Sequence, residues 1–163
     1  MLTIVPIQPH QIEAAKSIIA AVAQRIFEPG LSPQEFLDAL IEEHELDDVD
    51  QVSKVYAENG GLFLVVLDDG KVIGTGAIRK LENDLAELKR LWLLEPYHGQ
   101  GIGYRVVSQL FDFARQNGYQ RLVLQTSLQQ QRAIAFYQRM GFVEVPAYNE
   151  LPYEDDISME IRL

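Results

Sequence analysis

The sequence lacks cysteine altogether, with none among its 163 residues. Without thiols the chain can form neither a disulfide framework nor a thiolate metal site. A covalent intermediate on a cysteine is excluded as well. Any group that the protein transfers is therefore expected to pass directly between its substrates.

Basic side chains are scarce. Only 14 residues are Lys or Arg, against 24 that are Asp or Glu, which gives a net charge of -10. Nucleic acid is excluded as a general partner, because its phosphate backbone is bound by Lys and Arg. An acidic surface attracts cationic molecules such as amines, and it also keeps a protein in solution.

Long hydrophobic stretches are absent too. The all-apolar run Leu62–Leu67 is far too short to cross a bilayer. The first residues, Met1–Pro6, lack the basic start and apolar centre of a signal peptide. We therefore expect a cytoplasmic protein with no membrane partner.

What is present suits one α/β domain. A length of 163 residues with 47% apolar side chains is enough for a single core. Apolar positions at strand or helix spacing define the elements. Strands are predicted over residues 2–7, 62–67, 72–78, 85–94, 121–125, 142–145 and 157–163. Helices are predicted over residues 12–26, 32–41, 104–117 and 129–140, the second opening with Ser32 and Glu35 as a capping box.

A glycine-rich turn, residues 98–103 with the sequence HGQGIG, joins the fourth predicted strand to the third predicted helix. Three glycines in five residues allow backbone N–H groups to point into one concavity, and the helix that follows contributes its positive end. Such a corner binds phosphate groups.

Two familiar phosphate loops do not match this turn. A P-loop requires Lys followed by Ser or Thr, whereas Tyr104 and Arg105 follow Gly103. A dinucleotide fingerprint requires its third glycine at Tyr104 and an acidic residue about 20 positions later. Residues 119–122 are Tyr, Gln, Arg and Leu instead.

The turn resembles the pyrophosphate loop of the GNAT superfamily of acetyl-CoA-dependent N-acetyltransferases. That pattern is Arg or Gln, two residues, Gly, one residue, then Gly or Ala. Gly101 and Gly103 match it, and His98 departs from it at the first position. The segment from Glu87 to Leu93 is similar to the family's central strand. The family's later segment is matched by Ala133, Tyr137, Gly141 and Phe142.

This resemblance implies a fold and an activity for residues 1–163. The fold would be a single N-acetyltransferase domain with a mixed, mostly antiparallel sheet of about seven strands, flanked by four helices and splayed where the cosubstrate enters. The activity would move an acetyl group from acetyl-CoA, the cosubstrate, directly to a primary amine of a small molecule or peptide. The partners are then acetyl-CoA and an amine acceptor, and the sequence is compatible with a homodimer.

The resemblance also assigns cofactor-binding positions. The backbone of Leu91, Trp92 and Leu93 would pair with the pantetheine arm, and the Leu93 N–H would face the thioester carbonyl. The pyrophosphate would be bound by His98, Gly99, Gln100, Gly101, Ile102 and Gly103. His98 would donate from its ring or its backbone. Gln130 stands where many members have an asparagine that contacts the pantetheine.

Two side chains are implied to move protons. Glu87 is the candidate general base that deprotonates the amine, or else a strand glutamate paired with Lys89, Arg79 or Lys80. Tyr137 is the candidate acid that protonates the departing CoA thiolate, or else a core tyrosine. Arg105, one turn into the helix, is either a ligand of the CoA 3′-phosphate or a solubilising residue.

Other interpretations stay open. The chain could be a non-catalytic acyl-CoA-binding or sensing module that kept the loop without turnover. Its acidic surface could instead bind a protein rich in Lys or Arg. No metal is expected, because His44 among its acidic neighbours is typical of a solvated face. The acceptor is expected between residues 27–31 and residues 148–153.

Overall fold

A computed structural model describes all residues, 1–163. Its seven strands form one sheet in the order β1-β2-β3-β4-β5-β7-β6. The strands are β1 (Leu2–Pro6), β2 (Leu62–Asp68), β3 (Lys71–Lys80), β4 (Leu85–Leu93), β5 (Arg121–Ser127), β6 (Val143–Val145) and β7 (Asp156–Arg162). Only β4 and β5 run parallel, so the predicted mixed, mostly antiparallel sheet is confirmed.

The four predicted helices are present, and two short ones accompany them. The helices are α1 (Ile12–Phe27), α2 (Pro33–Glu42), α3 (Asp47–Asp50), α4 (Val52–Val55), α5 (Ile102–Gln116) and α6 (Gln131–Met140). The capping box of α2 forms as predicted, because the Ser32 hydroxyl accepts from the Glu35 N–H at 3.1 Å and the Glu35 carboxylate accepts from the Ser32 N–H at 3.0 Å. No helix of the chain is long and apolar enough to cross a bilayer.

The two additional helices lie in the acidic segment after α2. Each is only four residues long, which is too short for a repeating apolar pattern to be visible. They form because Val49 and Val52 are buried against the sheet. Asp47 and Asp50 face outward, whereas the Asp48 carboxylate turns inward to Tyr56 and Arg90. The structure therefore has two helices more than the four predicted, each about one turn long.

The sheet separates two apolar cores, and β2 shows why. Leu64 and Val66 belong to the core beneath α5, whereas Phe63 and Val65 belong to the core beneath α1. Successive side chains of a strand point to opposite faces. An all-apolar strand is thus buried on both sides.

Helix α5 crosses β3 at close range. A Cβ built on Gly76 would lie 2.6 Å from the Val106 Cγ1 atom. No side chain fits there, which explains why β3 carries glycine at this position.

The sheet splays between β4 and β5. These strands pair only from Leu85–Glu87 to Arg121–Val123, after which β5 continues beside β7. The remainder of β4, residues 88–93, therefore has no strand on that side.

A β-bulge lies in the same part of β4. The pairing of β4 with β3 shifts register between Thr75 and Ala77, where β4 contains one extra residue. Arg90 within this bulge has a φ of 58°, a left-handed conformation that is uncommon outside glycine. Such a bulge bends a strand and redirects the residues after it.

Candidate active site

A cavity of about 830 Å³ lies at the splay, bordered by the end of β4, the 98–103 turn, the start of α5, one side of α6 and part of α1. Most of the residues predicted to bind the cosubstrate or to move protons border it. They are Leu91, Trp92, Leu93, His98, Gly99, Gly101, Ile102, Gly103, Gln130 and Tyr137. Two of the predicted residues, Glu87 and Gln100, do not border it.

The turn presents a continuous run of free backbone donors. None of the N–H groups of residues 99–104 donates to an oxygen of the chain, and the first N–H with a partner is that of Arg105, which donates to the Gly101 carbonyl at 3.1 Å. Gly99 and Gly101 adopt φ values of 79° and 76°, where any larger residue is strained. These donors, with the positive end of α5, form a site for an anion such as a diphosphate.

The side chain of Gln100 is bonded within the chain and does not border the cavity. Its side-chain amide donates to the Pro96 carbonyl at 3.3 Å and is exposed to solvent. Its predicted role in binding the cosubstrate is thus restricted to the N–H group.

Two arginines of α6 also border the cavity. Arg132 and Arg139 are seven residues apart and lie on the cavity side of the helix with Phe136. Neither arginine was predicted from the sequence to lie at the site, although their spacing of two helical turns places them on one face. Arg105 does not border the cavity.

The end of β4 offers its backbone to the cavity. The Leu94 N–H donates to the Ile73 carbonyl of β3 at 3.0 Å, so Leu94 directs its polar groups toward β3. Neighbouring residues of an antiparallel strand direct theirs to opposite sides. Leu93 therefore directs its N–H and carbonyl toward the splay, as an added extended ligand requires.

The ring of His98 is engaged with that strand. Its Nε2 donates to the Leu93 carbonyl at 2.8 Å, and its backbone N–H donates to the Glu95 carbonyl at 3.0 Å. Neither of these two donors is free for a phosphate. The prediction that His98 donates to phosphate from its ring or its backbone is therefore corrected for the backbone N–H and for Nε2, and for Nδ1 it stays untested.

Tyr137 reaches the cavity from α6. Tyr137 is 8% exposed, and its ring packs edge to face with Phe136 and Phe142, with centroids 5.7 Å away in each case. Burial raises the pKa of the Tyr137 phenol above its usual value. The hydroxyl therefore keeps its proton at neutral pH, as a proton donor must.

Glu87 lies elsewhere on β4. Its carboxylate is buried, accepts from Arg79 at 2.8 Å, and also accepts from the Tyr148 hydroxyl. It stands six positions before Leu93 on the strand, on the other side of the bulge at Arg90. The structure therefore places Glu87 outside the cavity that Tyr137 borders, and the role of Glu87 as a base stays a prediction.

Neither of the two segments expected to flank the acceptor, residues 27–31 and 148–153, borders the cavity. Val22 and Ile26, just before residues 27–31, border the cavity. Tyr148, at the start of residues 148–153, contacts Glu87 instead. Trp92 and Glu95 complete the cavity wall near α1.

Comparison with known proteins agrees with this architecture. The chain is 31% identical to the uncharacterized N-acetyltransferase YjgM of Escherichia coli (strain K12) over 100 residues, which are 60% of each protein. It is 35% identical to human N-acetyltransferase 8B over 101 residues, which are 58% of this chain and 44% of the relative. The chain spans about half the length of the curated relatives it matches.

Solved structures share the fold. The paia N-acetyltransferase from Thermoplasma acidophilum, solved in complex with coenzyme A, superposes with a TM-score of 0.81 at 20% identity, covering 100% of this chain and 99% of that one. The model of the family described as "Acetyltransferase (GNAT) family" matches residues 23–142. Because that match covers most of the sequence, the chain belongs to the GNAT acetyltransferase family.

Proposed function

We propose that residues 1–163 form one N-acetyltransferase domain, which moves an acetyl group from acetyl-CoA directly to a primary amine of a small molecule or peptide. One observation carries the proposal: unpaired N–H groups of the turn, at Gly99 and residues 101–104, border the same cavity as the free edge of β4. A diphosphate and an extended amide arm are the two parts of coenzyme A that these features suit.

In this proposal the two features divide the binding of acetyl-CoA. The backbone of residues 99–104 binds the pyrophosphate, and Arg132 and Arg139 add positive charge beside it. The backbone of residues 91–93 pairs with the pantetheine arm, which Gln130 also contacts. The Leu93 N–H then faces the thioester carbonyl, where negative charge develops as the amine attacks.

The reaction requires two proton movements. The amine nitrogen attacks the thioester carbon as the C–S bond breaks, so the nitrogen must lose a proton and the sulfur must gain one. Because an alkylamine has a pKa near 10 and a thiol one near 8.5, both transfers need assistance at about pH 7. Tyr137 donates to the thiolate and is reprotonated from solvent.

Glu87 is the proposed base for the amine. Since it lies outside the cavity, a proton reaches it through water or through the Tyr148 hydroxyl that donates to its carboxylate. The route is longer than a direct contact, and this favours a second candidate function. In that alternative the domain binds or senses acyl-CoA without turnover.

The wall nearest α1 supports an amine as the acceptor. Val22, Ile26 and Trp92 supply apolar contact, and Glu95 supplies a carboxylate. The Glu95 carboxylate is paired with Arg25 at 2.6 Å, and both groups are exposed. A cationic acceptor would exchange places with Arg25 as the partner of Glu95.

A panel of primary amines tests the function. Free thiol released from acetyl-CoA would be measured with small alkylamines, arylalkylamines, polyamines and peptides with a free N-terminus. Amine-dependent release supports the enzyme, and the best acceptor identifies its class. Binding of coenzyme A by calorimetry without release from any amine would support the non-catalytic module. A cytoplasmic location and a homodimer stay predictions, which cell fractionation and light scattering would test.

A further inference from the structure

The ring of His98 joins the anion-binding turn to the end of β4. Its Nε2 lies 2.8 Å from the Leu93 carbonyl oxygen. A carbonyl oxygen only accepts hydrogen bonds, so Nε2 carries the proton. The ring thus closes the chain between Leu93 and His98 into a short loop.

The other ring nitrogen has no partner within the chain. His98 Nδ1 is buried and makes no hydrogen bond, while His98 itself borders the cavity. In the neutral ring with the proton on Nε2, Nδ1 is an acceptor. A buried acceptor without a donor is costly, so a bound ligand that supplies a donor gains affinity.

Phosphate is a poor ligand for an acceptor at this position. The oxygens of a fully ionised diphosphate carry no hydrogens and cannot donate to Nδ1. The amide N–H and hydroxyl groups of coenzyme A can donate. The neutral ring therefore selects the arm of the cosubstrate and leaves the pyrophosphate to the backbone N–H groups.

The hydrogen bond to Leu93 also fixes the strand. The Leu94 N–H is held by Ile73 on the β3 side, and the Leu93 carbonyl is held by His98 on the open side. The Leu93 N–H points to the same side as its carbonyl. A ring that holds one of these groups sets the direction of the other.

We infer that His98 is a positioning residue whose neutral ring holds the Leu93 carbonyl through Nε2 and thereby aims the Leu93 N–H at the thioester. At Nδ1 the same ring accepts a hydrogen bond from an amide or hydroxyl group of the cosubstrate. The part that concerns the thioester rests on the proposed function. The position of the proton on the ring and the hydrogen bond from coenzyme A to Nδ1 do not depend on the proposed function.

The first test is nitrogen NMR of the histidine rings, with and without coenzyme A. The chain has three histidines, and His98→Gln identifies the signals of this one. We expect the proton on Nε2 in both states and a shift of the Nδ1 signal when coenzyme A binds. A doubly protonated ring in the complex would overturn the inference, because Nδ1 would then donate to phosphate. An Nδ1 signal that does not move would overturn it as well.

The second test compares variants in acetyl transfer. His98→Ala is expected to lower kcat about 10- to 100-fold, as misplacement of a reacting group does. KM for acetyl-CoA is expected to rise by less than about 10-fold, because one hydrogen bond to the cosubstrate is lost while the backbone donors remain. His98→Gln should recover most of kcat, since its amide can donate to the Leu93 carbonyl. His10→Ala, the same change at an exposed histidine outside the cavity, should match the wild type.

The outcomes separate the inference from the function. A His98→Ala protein with unchanged kcat overturns the positioning role, and so does one whose only defect is a raised KM. If His98→Ala does not fold, the kcat of His98→Gln and the NMR signals of the wild-type ring still test the positioning role. If the wild type releases no thiol with any amine, the proposed function fails, whereas the ring's proton and its response to coenzyme A remain measurable.

Discussion

The hydroxyl of Thr75 donates a 2.6 Å hydrogen bond to the backbone carbonyl of Arg90, across the bulge between β3 and β4. Arg90 has a φ of 58°, and its guanidinium is held by the Asp48 carboxylate at 2.6 Å and by the Glu45 carbonyl at 2.6 Å. The left-handed residue is therefore fixed through both its backbone and its side chain. The residues that follow it, 91–93, form the wall of the cavity.

Thr75→Val should weaken this arrangement. Thr75 is 1% exposed, so valine fills its space but leaves the Arg90 carbonyl without a donor, at a cost of about 1–3 kcal/mol in the free energy of unfolding. We expect a lower kcat as well, because residues 91–93 lose their orientation. Thr75→Ser retains the hydroxyl and is the control. Equal stability and kcat in the valine variant would show that the bulge holds without this bond.

Asp48→Asn should change how stability depends on pH. Burial alone would raise the pKa of the Asp48 carboxyl, but the hydrogen bond and charge of Arg90 and the hydrogen bond from Tyr56 hold it below its usual value. A carboxyl with a lowered pKa stabilises the fold above its unfolded pKa of about 3.9, and this contribution is lost as the pH falls through the folded pKa.

At about pH 7 the free energy of unfolding of Asp48→Asn should be lower than that of the wild type by roughly 3 kcal/mol, because the substitution leaves the half-buried Arg90 guanidinium without its counter-charge. The difference in the free energy of unfolding between this variant and the wild type should become smaller below about pH 4. Chemical denaturation across this range measures both effects. Asp112→Asn, in an exposed pair 3.7 Å from Arg115, should change stability by less than about 0.5 kcal/mol. A difference between Asp48→Asn and wild type that does not vary with pH would contradict the linkage.

Tyr137→Phe should lower kcat by about 100-fold, the lower range for loss of a positioned acid, with little change in KM for acetyl-CoA. The defect should shrink above about pH 8.5, where the thiolate departs without a proton. Because burial raises the pKa of the phenol, the wild type should show no decline from tyrosine ionisation below about pH 10. Tyr119→Phe, which removes a hydroxyl bonded to the Gly60 carbonyl, is the control. A raised KM with unchanged kcat would make Tyr137 a packing residue.

Glu87→Gln tests the proposed base. If the carboxylate accepts the amine's proton, the variant loses the activity that the wild type gains at moderately alkaline pH. Tyr148→Phe keeps the carboxylate and removes the hydroxyl bonded to it, so an equal loss in that variant would identify Tyr148 as part of the route. An unchanged pH profile in Glu87→Gln would assign the base elsewhere and leave Glu87 as the anchor of Arg79 and Tyr148.

Much of the architecture was predictable because its signals are local. Apolar spacing located all seven strands and the four longer helices, and the Ser32 capping box marked the start of α2. The hairpin between β2 and β3 is a local feature too, since Asp69 and Gly70 take φ values of 47° and 85° there. The glycines of the turn at residues 98–103 and the helix after it indicated an anion site for the same reason.

The sequence by itself determined the elements and the glycine-rich turn, since each depends on residues close together in the chain. Only the tertiary structure decided that β4 leaves β5 after Glu87, that Arg90 forms a bulge, and that the His98 ring bonds to Leu93. Periodicity reports which face a side chain occupies. It does not report where two strands separate, and that point of separation fixes which residues share the cavity and leaves Glu87 outside it.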